Sequence, residues 1–429
     1  MIILGVHDGH NASATLLIDG KLKCSVAEER LSRQKNHYGF PENAIKCVLE
    51  QAGIKFEDID RVAMSTNKLS PAYFYTGRNS RLSIADYWKE QKEYWYPKIY
   101  QNANPQYMDV LSHRVDKKTF PYDEALIKNE SDYEGMWNAR VKHISKYLQI
   151  DETKVSYHNH HKCHAYYAYM MCPKKDDSVL VFTMDGFGDN ANGTVSIGNS
   201  EELLNEISRS TNCNIGRMYR YATLLLGMRP AEHEYKLMGL AAYNSDKYGQ
   251  EAYKVYAETL ENDGLKFKYK TKIKDHFFYF KEKLEGQRFD AIAYGIQKRC
   301  EELLVNWVAN GIKETGISNI VLSGGVAQNI KANKLITELS ELDYLFVPPG
   351  PGDESISIGA AFLEYLTLDN PIKNCQPQLN GYIGPRYSDK VILKSIKELV
   401  PNDYLVQKSD NKKVAQFLAN GDIVARFGN

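Results

Sequence analysis

The stretch VLVFTMDGFGDNANGTVSIG at 179–198 repeats in kind the way the chain opens, IILGVHDGHNASATLLIDG at 2–20. Each has an apolar strand, then Asp-Gly and a turn of small residues, then a second strand. Two such stretches about 177 residues apart predict a duplicated α/β fold. In the first copy, ATLLI and KLKCSVAEE flank Asp19-Gly20, a two-residue hairpin signal, so 2–26 reads as a β-hairpin. Pro41 and Gly53 bracket a short amphipathic helix, and RVAMST at 61–66 is the next strand.

The second half continues with a helical stretch at 289–314 and two strand–glycine loop–helix units, NIVLSGGVAQNIKANKLI (319–336) and LFVPPGPGDESISIGAAFLEYL (345–366). Gly324 and Gly325 let backbone approach a ligand, and a helix N-terminus favours an anion. Two such units beside duplicated hairpins read as the wall of a nucleotide site; the plainer reading is two ordinary βα loops. A strand ending in Asp-Gly and followed by a hairpin resembles the start of each lobe in the actin/hexokinase/Hsp70 superfamily. That likeness implies an actin-like two-lobe domain over 1–370, with lobe one at about 1–175 and lobe two at about 176–370.

Residues 67–147 interrupt lobe one with an aromatic, charged insertion. Tyr87, Gln91, Tyr94 and Trp95 recur there at helical spacing. The expected reading is a helical insertion whose stripe packs on the body; the alternative is an aromatic wall beside a substrate cleft.

Four of the 11 histidines, His158, His160, His161 and His164, fall within seven positions, before good helix material (AYYAYMM). In a helix, His160 and His164 sit one turn apart on one face, where two imidazoles can close on one metal ion. Imidazole suits Zn or Fe better than Mg or Ca. The competing reading is a histidine-rich surface helix.

Composition excludes more than it assigns. Lys+Arg and Asp+Glu balance at 54 each, which gives no charge argument for nucleic acid or an anionic membrane. No apolar run reaches the ~18 residues of a membrane span. MIILGVHDGH lacks a basic region and a cleavage site, so no signal peptide is expected. Seven scattered cysteines fit a reducing cytoplasm, the expected location.

After Asn370 the texture changes. NPIKNCQPQLNGYIGP reads as a linker, and 381–429 as a short strand (YLVQ), a helix (NKKVAQFLANG) and a strand (DIVARF).

Seven stretches in order, GVHDGHNASATLLIDGK, AEERLSRQKNHYGFP, HHKCHA, MDGFGD, EHEYKLMGLAAY, LSGGVAQN and PPGPGDESISIGAA, resemble the NodU/CmcH/TobZ family of O-carbamoyltransferases. The resemblance implies an actin-like domain, related to the tRNA threonylcarbamoyl-transfer protein, followed by a YrdC-like domain. The latter makes carbamoyl adenylate from carbamoyl phosphate and ATP; the former passes the carbamoyl group to a hydroxyl of a sugar, antibiotic or other small molecule. Family members continue past DIVARF, so 371–429 is expected to be a linker and a partial YrdC-like domain. The partners implied are carbamoyl phosphate and a small-molecule hydroxyl acceptor, with no nucleic acid and no membrane; a homodimer is compatible with it.

The resemblance places a divalent metal on His160, His164, Asp185 and Asp353, Fe(II) favoured and Zn or Mn the alternatives. Taken singly, Asp353 also suits a helix N-cap and Asp185 a turn. His158 and His161 are read as supporting or surface residues and Cys163 as buried. The acceptor hydroxyl needs a base near neutral pH, for which His10 is the candidate, with Asp8 orienting its imidazole. Adenylate contacts are assigned to Ser323, Gly324, Gly325 and Asn329, with Lys35 as an anion contact. Glu234 and Lys236 are expected to pair near the cleft. Two other classes compete: a non-catalytic nucleotide- or carbohydrate-binding subunit, and an actin-like ATPase or phosphotransferase. The His-x3-His pair counts against the last, whose members hold Mg through carboxylates and phosphates.

Overall fold

The computed structural model describes residues 1–199, 202–378, 380–399 and 404–426. The opening strands β1 (Ile2–His7), β2 (Ser13–Ile18) and β3 (Lys21–Ala27) pair antiparallel in succession. β4 (Arg61–Ser65) joins β1 in parallel and β5 (Val155–His158) joins β4, giving the order β3-β2-β1-β4-β5. The second copy does the same. β6 (Val179–Gly188), β7 (Ala191–Gly198) and β8 (Asn205–Ser210) run antiparallel. A separate hairpin of β9 (Leu260–Asp263) and β10 (Lys266–Tyr269) follows. β11 (Asn319–Ser323) then adds in parallel to β6 and β12 (Tyr344–Phe346) to β11. Read from β8, this sheet has the order β8-β7-β6-β11-β12, the first sheet's order position for position. The fold is α/β, built on two five-stranded mixed sheets of like order.

Two helices join the copies. His160–Met171 leaves β5 with Asn159 accepting from the Lys162 N–H as its N-cap, and only Lys162 in it escapes burial. It crosses the largely buried helix Ile356–Thr367 so closely that a methyl at Gly359 would overlap the Cys163 carbonyl. On its other side that second helix meets β1, where a methyl at Gly5 would overlap the Ser357 carbonyl. Ser357 Oγ lies 2.8 Å from the hydroxyls of both Ser13 and Thr15. One apolar core therefore holds Ile3, Leu17 and Ala63 of the first sheet with Val181 and Val321 of the second, joined by Phe362 and Leu366.

The insertion is a set of short helices and one turn of π-helix, Glu90–Trp95, ending in the long helix Tyr133–Leu148. Its aromatic stripe packs on the body. Tyr87 and Tyr94 are buried with Leu224 and Phe277 of the second half, and Gln91 is buried too.

The segment expected to be a linker differs. The compact body runs on to Ile383. Cys375 is fully buried in the shared core, and the Ile383 carbonyl accepts from the Ser25 N–H at 2.8 Å. Apolar Ile372, Cys375 and Ile383 anchor a stretch whose polar texture suggested solvent. The remaining unit, from Gly384 onward, contains helices Asp389–Leu399 and Asn411–Ala419. The strands expected at YLVQ and DIVARF do not form among the described residues, since no neighbouring strand is there to complete a ladder; Phe427 lies outside the described residues. Among the described residues no helix is long and apolar enough to cross a membrane.

Candidate metal centre and cleft

His160 and His164, one turn apart, aim their Nε2 atoms at the end of β6. Asp185 sits there in the register shift where β6 leaves β7, and Asp353 opens the 3-10 turn before the helix Ile356–Thr367. Ser355 is the N-cap of that helix, so capping leaves the Asp353 carboxylate free. One donor atom from each of the four residues lies within 4.8 Å of every other. His160 Nε2 is 3.1 Å from Asp185 Oδ2 and 3.2 Å from His164 Nε2. His164 Nε2 is 3.3 Å from Asp353 Oδ1 and 3.5 Å from Asp185 Oδ2, and His160 Nε2 is 3.7 Å from Asp353 Oδ1. Four N/O ligands at ~2.0–2.1 Å from a tetrahedral ion stand about 3.3–3.4 Å apart. The donor set therefore fits one divalent cation. Its electrostatics agree. Burial pulls the His164 pKa down, but hydrogen bonds and charge from Asp185 and Asp353 carry it to about 9, so the spot favours positive charge.

The support around these ligands is specific. Thr66 Oγ1 lies 3.0 Å from His160 Nδ1, which leaves Nε2 for the cluster when Nδ1 carries the proton. Thr66 is a β-branched residue at φ 67, a strained conformation. Arg140 holds it by donating to its carbonyl at 3.0 Å, and Asp189 accepts from the next two N–H groups, of Asn67 and Lys68. Asp189 also accepts from the His160 N–H at 2.7 Å. Sequence reading missed Thr66, Arg140 and Asp189. Asp189 stands inside MDGFGD, but nothing local marks its partners.

The candidate base, His10, is half-buried, and its Nδ1 has no hydrogen-bond partner. Burial lowers its pKa more than Asp353 and Asp185 raise it, with Arg220 and Arg78 lowering it further, so the neutral imidazole prevails. Asp8 does not orient it. Arg140 donates to both Asp8 oxygens at 2.5–3.1 Å and the Tyr122 hydroxyl donates to Oδ2 at 2.7 Å. That correction follows from charge: a fully buried carboxylate takes the fully buried guanidinium over a neutral ring. Instead His7 Nε2 meets the His10 carbonyl at 2.8 Å, and burial, above all, pushes the His7 pKa to about 4.

The proposed adenylate residues divide. Gly324 and Gly325 lie at the cluster, where a Cβ at Gly324 would strike the Met184 carbonyl and one at Gly325 would come 3.1 Å from Asp185 Oδ1. Gly324 has φ 94, which glycine alone takes readily. Ser323 is fully buried and donates to the Pro351 carbonyl at 3.4 Å. Asn329 is an N-cap: its Oδ1 accepts from the Ala332 N–H, and its amide is engaged by Gln297, so it offers a ligand little. Lys35 is an exposed partner of Glu29, the choice of a flexible ammonium with a carboxylate in reach at 3.0 Å. Glu234 and Lys236 do not pair; Glu234 accepts from the Ala231 N–H while Lys236 lies exposed over Tyr235. His158 is bound to Glu364 and His161 to Thr183 and the Ala191 carbonyl, both buried, and Cys163 is buried.

Residues 2–362 match the family described as carbamoyltransferase N-terminus. The chain belongs to this family. Among relatives of the carbamoyltransferase-family chain, an uncharacterized Synechocystis protein is 26% identical over 97% of this chain and 66% of its own length. The nodulation protein NolNO of Sinorhizobium fredii is 24% identical over 97% of this chain and 55% of its own. The chain thus spans about half to two thirds of these curated relatives. Among solved structures, component A of Acidaminococcus fermentans (R)-2-hydroxyglutaryl-CoA dehydratase overlaps 87% of this chain and 99% of its own. Its identity is 15% and its TM-score 0.40.

Proposed function

We propose that this carbamoyltransferase-family chain moves a carbamoyl group from carbamoyl adenylate to a hydroxyl of a small molecule. The observation that carries the reading is the four-donor cluster of His160, His164, Asp185 and Asp353, with the imidazole of His10 within electrostatic reach of its carboxylates. Its imidazoles and carboxylates suit Fe(II), Zn or Mn, Fe(II) being preferred through the family resemblance. Such an ion, when bound, supplies Lewis-acid polarisation and a template for donor oxygens.

The chain's own residues do the rest. Gly324 and Gly325 let their loop pack against the Met184 backbone and the Asp185 carboxylate, which holds that ligand in place. His10, neutral and with an unpartnered Nδ1, accepts the proton of the acceptor hydroxyl. The new bond joins acceptor oxygen to carbamoyl carbon, and the bond from that carbon to the phosphate oxygen breaks. AMP leaves with the electron pair, and His10 later releases its proton to water. A mixed anhydride needs little further activation, so positioning and proton removal dominate. Incubating the metal-loaded protein with preformed carbamoyl adenylate and a panel of hydroxyl acceptors tests this. Carbamoylated product with AMP release is expected; only hydrolysis, with every acceptor, would reject it.

A further inference from the structure

The helix Ile215–Leu225 carries two arginines one turn apart, Arg217 and Arg220, and among the described residues neither forms a direct ion pair, Glu234 being the carboxylate that feels Arg220 from a distance. Among the described residues neither has a carboxylate within salt-bridge distance or a hydrogen-bond acceptor, and Arg220 Nη2 is a buried donor with no partner. Their neighbours are neutralised. Arg78 is held by Glu90 at 2.8 Å and Arg229 by Glu232 at 2.7 Å. Like charges at this spacing weaken a helix, and an unpaired buried guanidinium donor costs more.

The helix begins at the metal cluster. Gly216 packs so tightly there that a Cβ would come 3.0 Å from Gly186 and 3.2 Å from the Asp185 carbonyl carbon. Arg217 lies over the ring of Phe187 at 4.7 Å, two residues from Asp185. Arg220, a turn further from the cluster, lies over Tyr87 of the insertion at 5.5 Å. His10 is within electrostatic reach of Asp185, Asp353 and Arg220 alike. A divalent ion would offset the charge of the two aspartates, which leaves Arg220 as a positive group within electrostatic reach of His10.

We propose that Arg217 and Arg220 form a subsite for an anionic oxygen group, phosphate or carboxylate, on the acceptor, so that this chain carbamoylates acidic rather than neutral sugars. The inference rests on the transfer reading above. The donor's phosphate is served at the cluster; the arginines lie beyond it, against the insertion. Guanidinium forks suit either oxyanion, and the aromatic faces of Phe187 and Tyr87 keep them in place.

Calorimetric titration of the full chain with glucose, glucuronate and glucose 6-phosphate tests it, with AMP as a donor-side control. Both acidic probes should bind at least about tenfold more tightly than glucose, the worth of one charged hydrogen bond. Whichever acid binds more tightly identifies the source of the charge. Arg220→Gln should reduce the preference about fivefold or more, and Arg220→Lys should keep most of it. If Arg220→Gln does not fold by circular dichroism, Arg217→Gln and Arg220→Lys carry the comparison. Equal binding of all three sugars, a preference untouched by the glutamines, or an equal loss of AMP affinity would overturn the proposal. Transfer from carbamoyl adenylate is assayed separately. Anion-selective binding without transfer keeps this subsite and rejects the transfer reading; transfer without charge preference does the reverse.

Discussion

Asp8 and Arg140, 132 residues apart in sequence, meet at 2.5 Å with both side chains wholly buried. The same guanidinium donates to the Thr66 carbonyl, and Thr66 in turn contacts the metal-facing His160. A residue of the first turn is thus linked to the cluster through two others, while His10, its near neighbour in sequence, stands apart.

Arg140→Met should destabilise the protein by about 3–5 kcal/mol, because it leaves Asp8 charged, buried and unpaired. Asp8→Leu with Arg140→Met should recover a large part. Denaturant midpoints of the two variants compare them; equal midpoints would show that the pair is not coupled.

The same pair sets an acid dependence. Burial alone would raise the Asp8 pKa, but Arg140 and the Tyr122 hydroxyl hold it below the ordinary value. A depressed folded pKa gives stability that is complete above the unfolded value of ~3.9 and is lost as pH falls through the folded one. Melting temperatures between pH 6 and pH 2 should show this loss in the wild type. In Asp8→Asn that component should be absent; parallel curves would refute the assignment.

Metal content checks the cluster. His164→Ala and Asp185→Asn should lose the bound divalent ion, while Thr66→Val, with all four ligands intact, should weaken affinity by about 10–100-fold. Elemental analysis and competition with a chelating dye measure this. Wild-type content in His164→Ala would remove the site.

His10→Asn should slow carbamoyl transfer by ~10²–10⁴-fold and leave AMP binding unchanged. A base works in its neutral form, and the pKa of His10 is lowered. The acid limb of kcat/KM should therefore fall below ~6.5, the ordinary imidazole value. An acid limb above 6.5 would assign it to another group.

What could be read in the chain was what is local. Each strand–Asp-Gly–strand unit carries its own pattern, so both sheets were visible, and the i, i+4 spacing of His160 and His164 needs only a helix. Asp189 and Arg140 were invisible because their partners come from other elements: Asp189 meets Asn67 122 residues away. Asp8 and Asn329 misled for the opposite reason. Both are turn or cap residues by type, and their long-range partners, not their neighbours, decide which atoms stay free. The strand expected at YLVQ failed because an apolar run needs a ladder to join.

Gly5→Ala should cost at least the ~1–3 kcal/mol of an overpacked core, since a methyl there overlaps the Ser357 carbonyl. Gly53→Ala, at a helix C-cap with nothing within 4 Å, should cost only its backbone strain. A smaller loss of thermal stability at Gly5 than at Gly53 would contradict the packing.

A chain built of two like copies would ordinarily suggest two modules. Here the helix Ile356–Thr367, which belongs to the second copy, is a covering layer for the first sheet, and Ile3, Leu17 and Ala63 share one apolar core with it. Neither copy can therefore be excised, expressed alone or exchanged with an equivalent half without stripping the other of its cover. Insertions can accumulate at the rim, as the one at 67–147 has, but the seam along Gly5, Ser357, Gly359 and Cys163 ties the later history of both copies to a single lineage.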